Sequence, residues 1–104
     1  MGVAFIIVQG DDPVVELTVD VDLDTASEVE YRIDSTQGEI TKKLTDTEMT
    51  VVDFVASIPL SAAETKGLDL GVLTHSLRVT ISGKRTTVTL THDKVKVVKS
   101  EFTD

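Results

Sequence analysis

The stretch LTHSLRVTIS at residues 73–82 decides the fold, because apolar and polar side chains alternate along its whole length. A period of two is typical of a β-strand that buries one face and exposes the other. Gly83 and Lys84 follow it and predict a two-residue type II′ hairpin, which returns the chain over residues 85–91. The residues assigned to the inward face are Leu73, His75, Leu77, Val79, Ile81, Val88 and Leu90.

The same alternation recurs at short intervals, and turn residues separate the segments. Further strands are predicted at residues 3–8, 15–22, 28–34, 39–44, 50–59 and 94–99. In the 50–59 segment, Val52 and Phe54 are expected on the buried face together with Ala56 and Ile58. The run at 3–8 is apolar without a break, which indicates burial on both faces or an end that pairs with something else.

One short helix is expected among the strands. Ser61 and Glu64 have the spacing of a capping box, so one or two helical turns are predicted over residues 61–66, ended by Gly67. Seven or eight short strands and one helical corner predict an all-β, immunoglobulin-like antiparallel β-sandwich, with residues 1–104 as a single domain. A small barrel is the alternative. The polar strand at 39–44, with two lysines, is expected at a sheet edge.

Composition and charge bound the chemistry. The 104 residues include no cysteine, which excludes disulfides, thiolate zinc sites and cysteine nucleophiles and favours a reducing compartment. Residues 1–52 carry 12 acidic and 3 basic side chains (net −9), and residues 53–104 carry 6 and 7 (net +1), which gives the overall −8. Such a chain is not expected to bind nucleic acid through a general basic surface. Its acidic half is either a solvated face or a surface for a basic partner, such as the C-terminal half of a neighbouring copy.

Two histidines are the first candidates for a site. His75 falls on an inward face, where a hydrogen-bonded histidine near the core is the expected state. His92 precedes Asp93 in a turn, where an exposed polar residue is expected. A site shared by the two histidines stays open, but zinc needs three protein ligands and no third one stands out.

Acidic residues are the second candidate. If the second strand persists, Asp20, Asp22 and Asp24 line one face, and Asp11 and Asp12 lie in the preceding loop. Acidic clusters of this kind can hold calcium, which takes about six to eight oxygen ligands. The spacing has no EF-hand pattern, so a solvated acidic face is the favoured interpretation.

No catalytic machinery is recognisable. The sequence has no nucleophile-elbow, Walker or dinucleotide-binding motif, and its four aromatic residues are few for a sugar-binding cleft. We therefore assign no catalytic, cofactor-binding or metal-binding residue and expect no enzymatic activity. The threonines interpreted as solvent-facing strand residues, or as a flat protein-docking face, are Thr80, Thr86, Thr87, Thr89 and Thr91.

The order of several segments resembles a known group of proteins. GDD at 10–12 opens a run of alternating strands, and IPLSAAET at 58–65 is followed by a glycine and by LRV at 77–79. The Gly83 hairpin, a threonine-rich return strand and VKV at 95–97 complete the order. This arrangement resembles small phage and prophage proteins with immunoglobulin-like folds, in particular the N-terminal domain of upper baseplate proteins and related tail components.

The resemblance implies a non-catalytic virion structural or assembly protein of a tail, a baseplate or a head decoration, made in the bacterial host cytoplasm. The implied partners are other virion proteins and further copies of the chain, without nucleic acid, membrane or cofactor. Gly71-Val72-Leu73 stands where such domains often carry an aromatic residue, so the bracing hydrogen bond of that aromatic is not expected here.

Two other classes of protein stay open. A ligand- or calcium-binding adhesin module would present exposed aromatic side chains near the acidic loops, for which Tyr31 and Phe102 are the candidates. A small inhibitor of a host protein would use the acidic surface to mimic nucleic acid.

Overall fold

The computed structural model describes residues 3–36, 39–88, 90 and 93–100. Within these ranges the chain forms nine strands, a 3-10 helix at Leu23–Thr25 and one α-helix, α1, at Ala62–Lys66. The strands are β1 (Val3–Val8), β2 (Val14–Thr18), β3 (Glu28–Ile33), β4 (Ile40–Lys43), β5 (Thr50–Val52), β6 (Val55–Pro59), β7 (Gly71–Ile81), β8 (Lys84–Val88) and β9 (Lys94–Val98). No helix within the same ranges is long and apolar enough to cross a membrane.

The strands form two sheets, which confirms the predicted all-β sandwich. The larger sheet has the order β1-β9-β7-β3-β4, with β8 also paired to β7, and the smaller sheet has the order β2-β6-β5. Among the described residues every strand pair is antiparallel except β1 with β9, which is parallel. The parallel pair departs from the purely antiparallel prediction and leaves β1 at one edge of the larger sheet.

The chain returns after β7 in two strands, β8 and β9, which correspond to the separate predictions at 85–91 and 94–99. The described residues form nine strands, more than the predicted seven or eight, because the single strand predicted at 50–59 is two strands. β8 pairs with the second half of β7, beginning with Lys84 opposite Ile81. β9 pairs with the first half, beginning with Lys94 opposite Thr74. Both lie on the side of β7 that faces away from β3, so they follow one another along the same edge.

The core lies between the sheets and is mostly aliphatic. Fully buried side chains include Val29, Tyr31, Ile33, Ala56, Ile58, Leu77 and Val95. These positions were predicted to face inward, and the prediction is confirmed at each of them. Burial of the first strand on both faces is wrong, because Ile7 is fully buried while Ile6 is 60% exposed on the outer face.

The single strand predicted at 50–59 is also wrong, because this segment is a hairpin. β5 and β6 are antiparallel partners, with Val52 opposite Val55 and a two-residue turn between them. Asp53 has a φ of 53° in the turn, a left-handed conformation that Asp tolerates better than most residues. The reversal breaks the period of two, so Val52 and Phe54 leave the core and are 65% and 46% exposed.

Two predicted boundaries shift for local reasons. The β7–β8 turn is Ser82-Gly83, one residue earlier than expected, and the φ values of 52° and 79° are those of a type I′ turn. β2 ends at Thr18, not at residue 22, and a 3-10 helix follows. Asp22 caps that helix, because its Oδ1 accepts a hydrogen bond of 3.0 Å from the Asp24 N–H.

The helical corner is confirmed. Ser61 Oγ accepts a hydrogen bond of 3.1 Å from the Glu64 N–H, and Glu64 Oε1 accepts one of 2.8 Å from the Ser61 N–H. Gly67 ends α1 as its C-cap. Glu64 also forms a 2.7 Å ion pair with Lys42 of β4, which ties the corner to the larger sheet. β4 is an edge strand, as its lysines predicted.

Candidate interaction surfaces

His75 belongs to the core. It is 1% exposed, and its Nδ1 lies 2.7 Å from the hydroxyl of Tyr31, whose ring packs edge-on against the imidazole. The expected hydrogen-bonded core histidine is therefore confirmed. Burial raises the pKa of Tyr31, so the phenol keeps its proton and can share it with the imidazole only as a hydrogen bond. His92 and the predicted site shared by both histidines lie outside the described residues.

The acidic residues do not gather into the predicted cluster. Asp11 and Asp12 precede β2, whereas Asp20, Asp22 and Asp24 follow it, so the strand separates the two sets. Among the described residues, no three His, Cys, Asp or Glu side chains are grouped closely enough to hold a metal ion. The three carboxylates also do not share one strand face, because β2 ends before them.

A different acidic pair forms at the β5–β6 turn. A hydrogen bond between the carboxyl groups of Asp53 and Asp24, together with the negative charges of Asp24 and Asp22, raises the pKa of Asp53. Leu23 donates its N–H to the Asp53 carbonyl at 2.7 Å, which holds the turn against the 3-10 helix. The turn is therefore fixed by its backbone while its side chains repel one another. The sequence did not predict this contact, because Asp53 lay within a supposed strand.

One of the two aromatic residues proposed for an adhesin module lies among the described residues. Tyr31, proposed as an exposed aromatic for an adhesin module, is fully buried, which contradicts that role. Phe102 lies outside the described residues. Phe54 is partly exposed instead, at the β5–β6 turn.

An apolar surface covers one end of the larger sheet. Ile6 of β1 and Val72 of β7 both lie opposite Lys96 of β9, so the three side chains form a row across three strands. Ile6, Val72 and the adjacent Leu70 are each more than half exposed. We call this row with Leu70 the Lys96 face. It borders the edge strand β1, whose second side has no strand partner among the described residues.

A cleft opens on the flank where β8 and β2 are the edge strands. Its volume is about 390 Å³, within the range of ligand and peptide pockets. Val21 stands on the smaller-sheet side, and Val79, Ile81 and Val88 form the apolar wall on the larger sheet. Its remaining lining residues are Asp20, Lys84, Thr86 and Thr87. We call it the flank cleft.

The prediction of solvent-facing threonines is confirmed at Thr86 and Thr87 but not at Thr80. Thr86 and Thr87 are exposed, and they border the flank cleft. Thr80 is half-buried on β7, and its carbonyl accepts a hydrogen bond of 2.9 Å from the Ser27 N–H. Thr89 and Thr91 lie outside the described residues.

Function must be inferred from these surfaces. The sequence matches no protein-family model, no curated protein and no solved structure.

Proposed function

We propose that this chain is a non-catalytic structural component of a bacteriophage or prophage particle, placed in the tail, the baseplate or a head decoration, and that it acts through protein–protein contacts. The observation that carries the proposal is the Lys96 face beside the edge of β1. Other virion proteins are the partners for this surface. Synthesis in the bacterial cytoplasm and assembly there accord with a chain that lacks cysteine.

The Lys96 face has the composition of an interface core. Ile6, Leu70 and Val72 each keep more than half of their surface in water. Complete burial of an aliphatic side chain of this size stabilises by about 1.5–3 kcal/mol, so three such side chains leave several kilocalories available to a partner. Clustered exposed apolar residues with a polar rim are typical of protein contact sites.

The adjacent edge adds a second way to bind. β1 pairs with β9 on one side, and its other backbone groups point away from the sheet. A partner strand can add to such an edge through main-chain hydrogen bonds, while exposed side chains such as Ile6 provide selectivity. A partner that joins this edge extends the larger sheet and covers the Lys96 face at the same time.

The charge of the face indicates an acidic partner surface. Lys96 is exposed at the centre of the apolar row, and it has no ion pair with any described residue. Lys94, on the same strand, donates a hydrogen bond of 2.7 Å to Thr74 Oγ1. A lysine surrounded by apolar side chains selects a carboxylate on the partner and raises the rate of association.

Mass spectrometry of purified particles tests the proposal. We expect the protein at a fixed ratio to capsid or tail subunits in particles from an induced culture of the host that carries the gene. Val72→Glu removes an apolar contact and places a carboxylate opposite Lys96, where it competes with the carboxylate of the partner, so it should lower that ratio about tenfold or more. Thr50→Glu, on exposed β5, is the matched control and should leave the ratio unchanged.

Two results would overturn the proposal. One is a protein made in the cell but absent from particles, which would favour a regulator or an inhibitor of a host protein. The other is normal incorporation of the Val72→Glu variant, which would exclude the Lys96 face as the contact surface.

A further inference from the structure

We infer that two copies of this chain pair through the flank that carries β2 and β8, with β2 of each copy lying against β8 of the other. The inference rests on the proposed function in treating the domain as an assembly module. It deepens that function by naming a second copy as one partner. The surface involved is the flank cleft and its two borders, not the Lys96 face.

One border of the flank cleft is the open edge strand β8, and the other is formed by Asp20 and Val21, which follow the open edge strand β2. β2 has β6 on one side, and β8 has β7 on one side, with no further strand partner for either among the described residues. Open edges are templates for pairing with another chain, and natural proteins leave them uncovered only when something prevents or uses that pairing.

The space between these edges is apolar. Val79 and Val88 are nearly fully buried at its floor, while Val21 and Ile81 are partly exposed to it. The cleft has a volume of about 390 Å³ and is open to water. Covering its apolar side chains with a partner would stabilise the complex. A second copy on this flank covers both clefts, because each copy places its own β2 and β8 over the opening of the other.

The two edges carry opposite charges. Glu16 and Asp20 are exposed on and just after β2, and Lys84 and Arg85 are exposed at the start of β8. None of these four side chains forms an ion pair with any described residue, although Asp20 and Lys84 line the same cleft. Charges at an edge discourage unspecific pairing, but an acidic edge and a basic edge on one flank permit one complementary partner, a second copy.

The strand directions bring these charges together. β2 runs toward the β5–β6 turn, since Thr18 lies opposite Val55. β8 begins at that same end of the sandwich, because Ser27 behind the 3-10 helix donates its N–H to the carbonyl of Thr80 beside the β7–β8 turn. β2 and β8 therefore run in opposite directions within one copy. A two-fold axis parallel to the strands lays β2 antiparallel to β8 of the partner, with Asp20 level with the partner's basic residues.

Sedimentation velocity of the purified protein across a range of concentrations is the test. We expect a monomer–dimer equilibrium whose dissociation constant rises with salt, because the charges lie at the rim of the interface. The variant Glu16→Lys with Asp20→Lys makes both edges basic, and Lys84→Glu with Arg85→Glu makes both acidic. Each variant alone should raise the dissociation constant about tenfold or more, since like charges across an interface cost several kcal/mol.

Mixing the two variants separates the inference from misfolding. In a mixed dimer each β2–β8 contact again joins an acidic edge to a basic one, so dimers should return when equal amounts are combined. Asp46→Lys and Lys66→Glu, both at exposed sites away from the flank, are charge controls and should dimerise like the wild type.

The inference is overturned if the wild type sediments as a monomer throughout, or if the mixture stays monomeric while each variant keeps the wild-type circular dichroism spectrum. Saturable binding of the dye 1-anilinonaphthalene-8-sulfonate by such a persistent monomer would assign the cleft to a small apolar ligand instead. A wild type that is monomeric in solution but present in particles at a fixed ratio would overturn this inference and leave the proposed function standing.

Discussion

The end of the sandwich that carries α1 and the end that carries the β5–β6 turn are built in opposite ways. At the α1 end, the buried hydroxyl of Thr65 donates to the Asp11 carbonyl at 2.7 Å and accepts from the Gly10 N–H at 3.0 Å. The ion pair between Lys42 and Glu64 joins the same corner to β4. These contacts link the corner to segments far apart in the sequence, so several independent interactions stabilise it.

The opposite end is also held by contacts between distant segments, such as Leu23 with Asp53 and Thr45 with Glu28, but it carries repelling charges as well. Asp22, Asp24 and Asp53 bring like charges together, and Phe54 stays partly exposed at the turn. The flank cleft opens beside this end, between the last residues of β7 and the segment that follows β2. The α1 corner is therefore held by attractive side-chain contacts, whereas repelling carboxylates and the flank cleft lie together at the turn end. Sites that bind are commonly the less stable parts of a domain.

The largest expected contrast is between two apolar residues of the same strand. Leu77→Ala removes a fully buried side chain and should lower the free energy of unfolding by about 2–5 kcal/mol, because it leaves a cavity. Ile81→Ala acts at the wall of a cleft that is already open, so the loss should be less than half as large. Urea denaturation at low protein concentration measures both values.

Equal losses for the two variants would mean that the flank cleft is closed in the isolated chain. If the proposed dimer forms, the Ile81→Ala loss should grow as the protein concentration rises, whereas the Leu77→Ala loss should not, apart from the shared effect of mass action.

A smaller effect is expected at the α1 corner. Thr65→Val keeps the shape of the side chain but removes the hydroxyl, which leaves the Gly10 N–H and the Asp11 carbonyl without this partner. Leaving a buried polar group unsatisfied costs about 1–3 kcal/mol, and the unfolding free energy should fall by an amount in that range. The same substitution at Thr50, which is exposed on β5, is the control. If the unfolding free energy changes by a similar small amount in both variants, the hydroxyl of Thr65 does not stabilise the corner.

Local sequence patterns predicted an element correctly where contacts within that element determine its structure. The alternation at residues 73–82 gives the strand and its inward face, and the Ser61–Glu64 spacing gives the helix, because the capping contacts lie within four residues. Alternation fails at residues 50–59, since Val52 and Phe54 continue the apolar period through a turn. The positive φ of Asp53 and its contact with the 3-10 helix fix the turn. Neither feature changes the alternation of apolar and polar residues in the sequence.

The candidate surfaces were less predictable than the fold. The row across β1, β9 and β7 depends on the parallel pairing of β1 with β9. These strands are far apart in the sequence, so no turn motif between them predicts the pairing. An uninterrupted apolar run also conceals which of its residues face outward, as Ile6 shows. The flank cleft arises because two edges lack a neighbour, and a missing neighbour has no sequence signal. The sequence shows that acidic residues are concentrated in the N-terminal half. That β2 is an acidic edge and β8 a basic edge could be seen only from the sheet order.

The smallest expected effect is the change in melting temperature when a carboxylate is neutralised, and its sign differs between the two ends of the sandwich. Asp53 has a raised pKa in the folded state, through its hydrogen bond with Asp24 and the nearby charges, so its ionised form destabilises the fold. That cost is full above the folded pKa and disappears as the pH falls below the unfolded pKa. Asp53→Asn should therefore raise the melting temperature at neutral pH, and the gain should shrink on acidification.

Glu64 provides the counterpart. Partial burial acts to raise its pKa, but the hydrogen bonds from Lys42 and Ser61 outweigh that effect and lower it. Its contribution is present above the unfolded pKa and is lost as the pH falls through the folded pKa. Glu64→Gln keeps a capping-box side chain and removes the charge, so the melting temperature should fall at neutral pH and match the wild type in acid. Thermal melts at about pH 7 and about pH 3 measure both variants. Shifts of the same sign would contradict the proposed difference between the two ends, because it requires repulsion among carboxylates at one end and an attractive ion pair at the other.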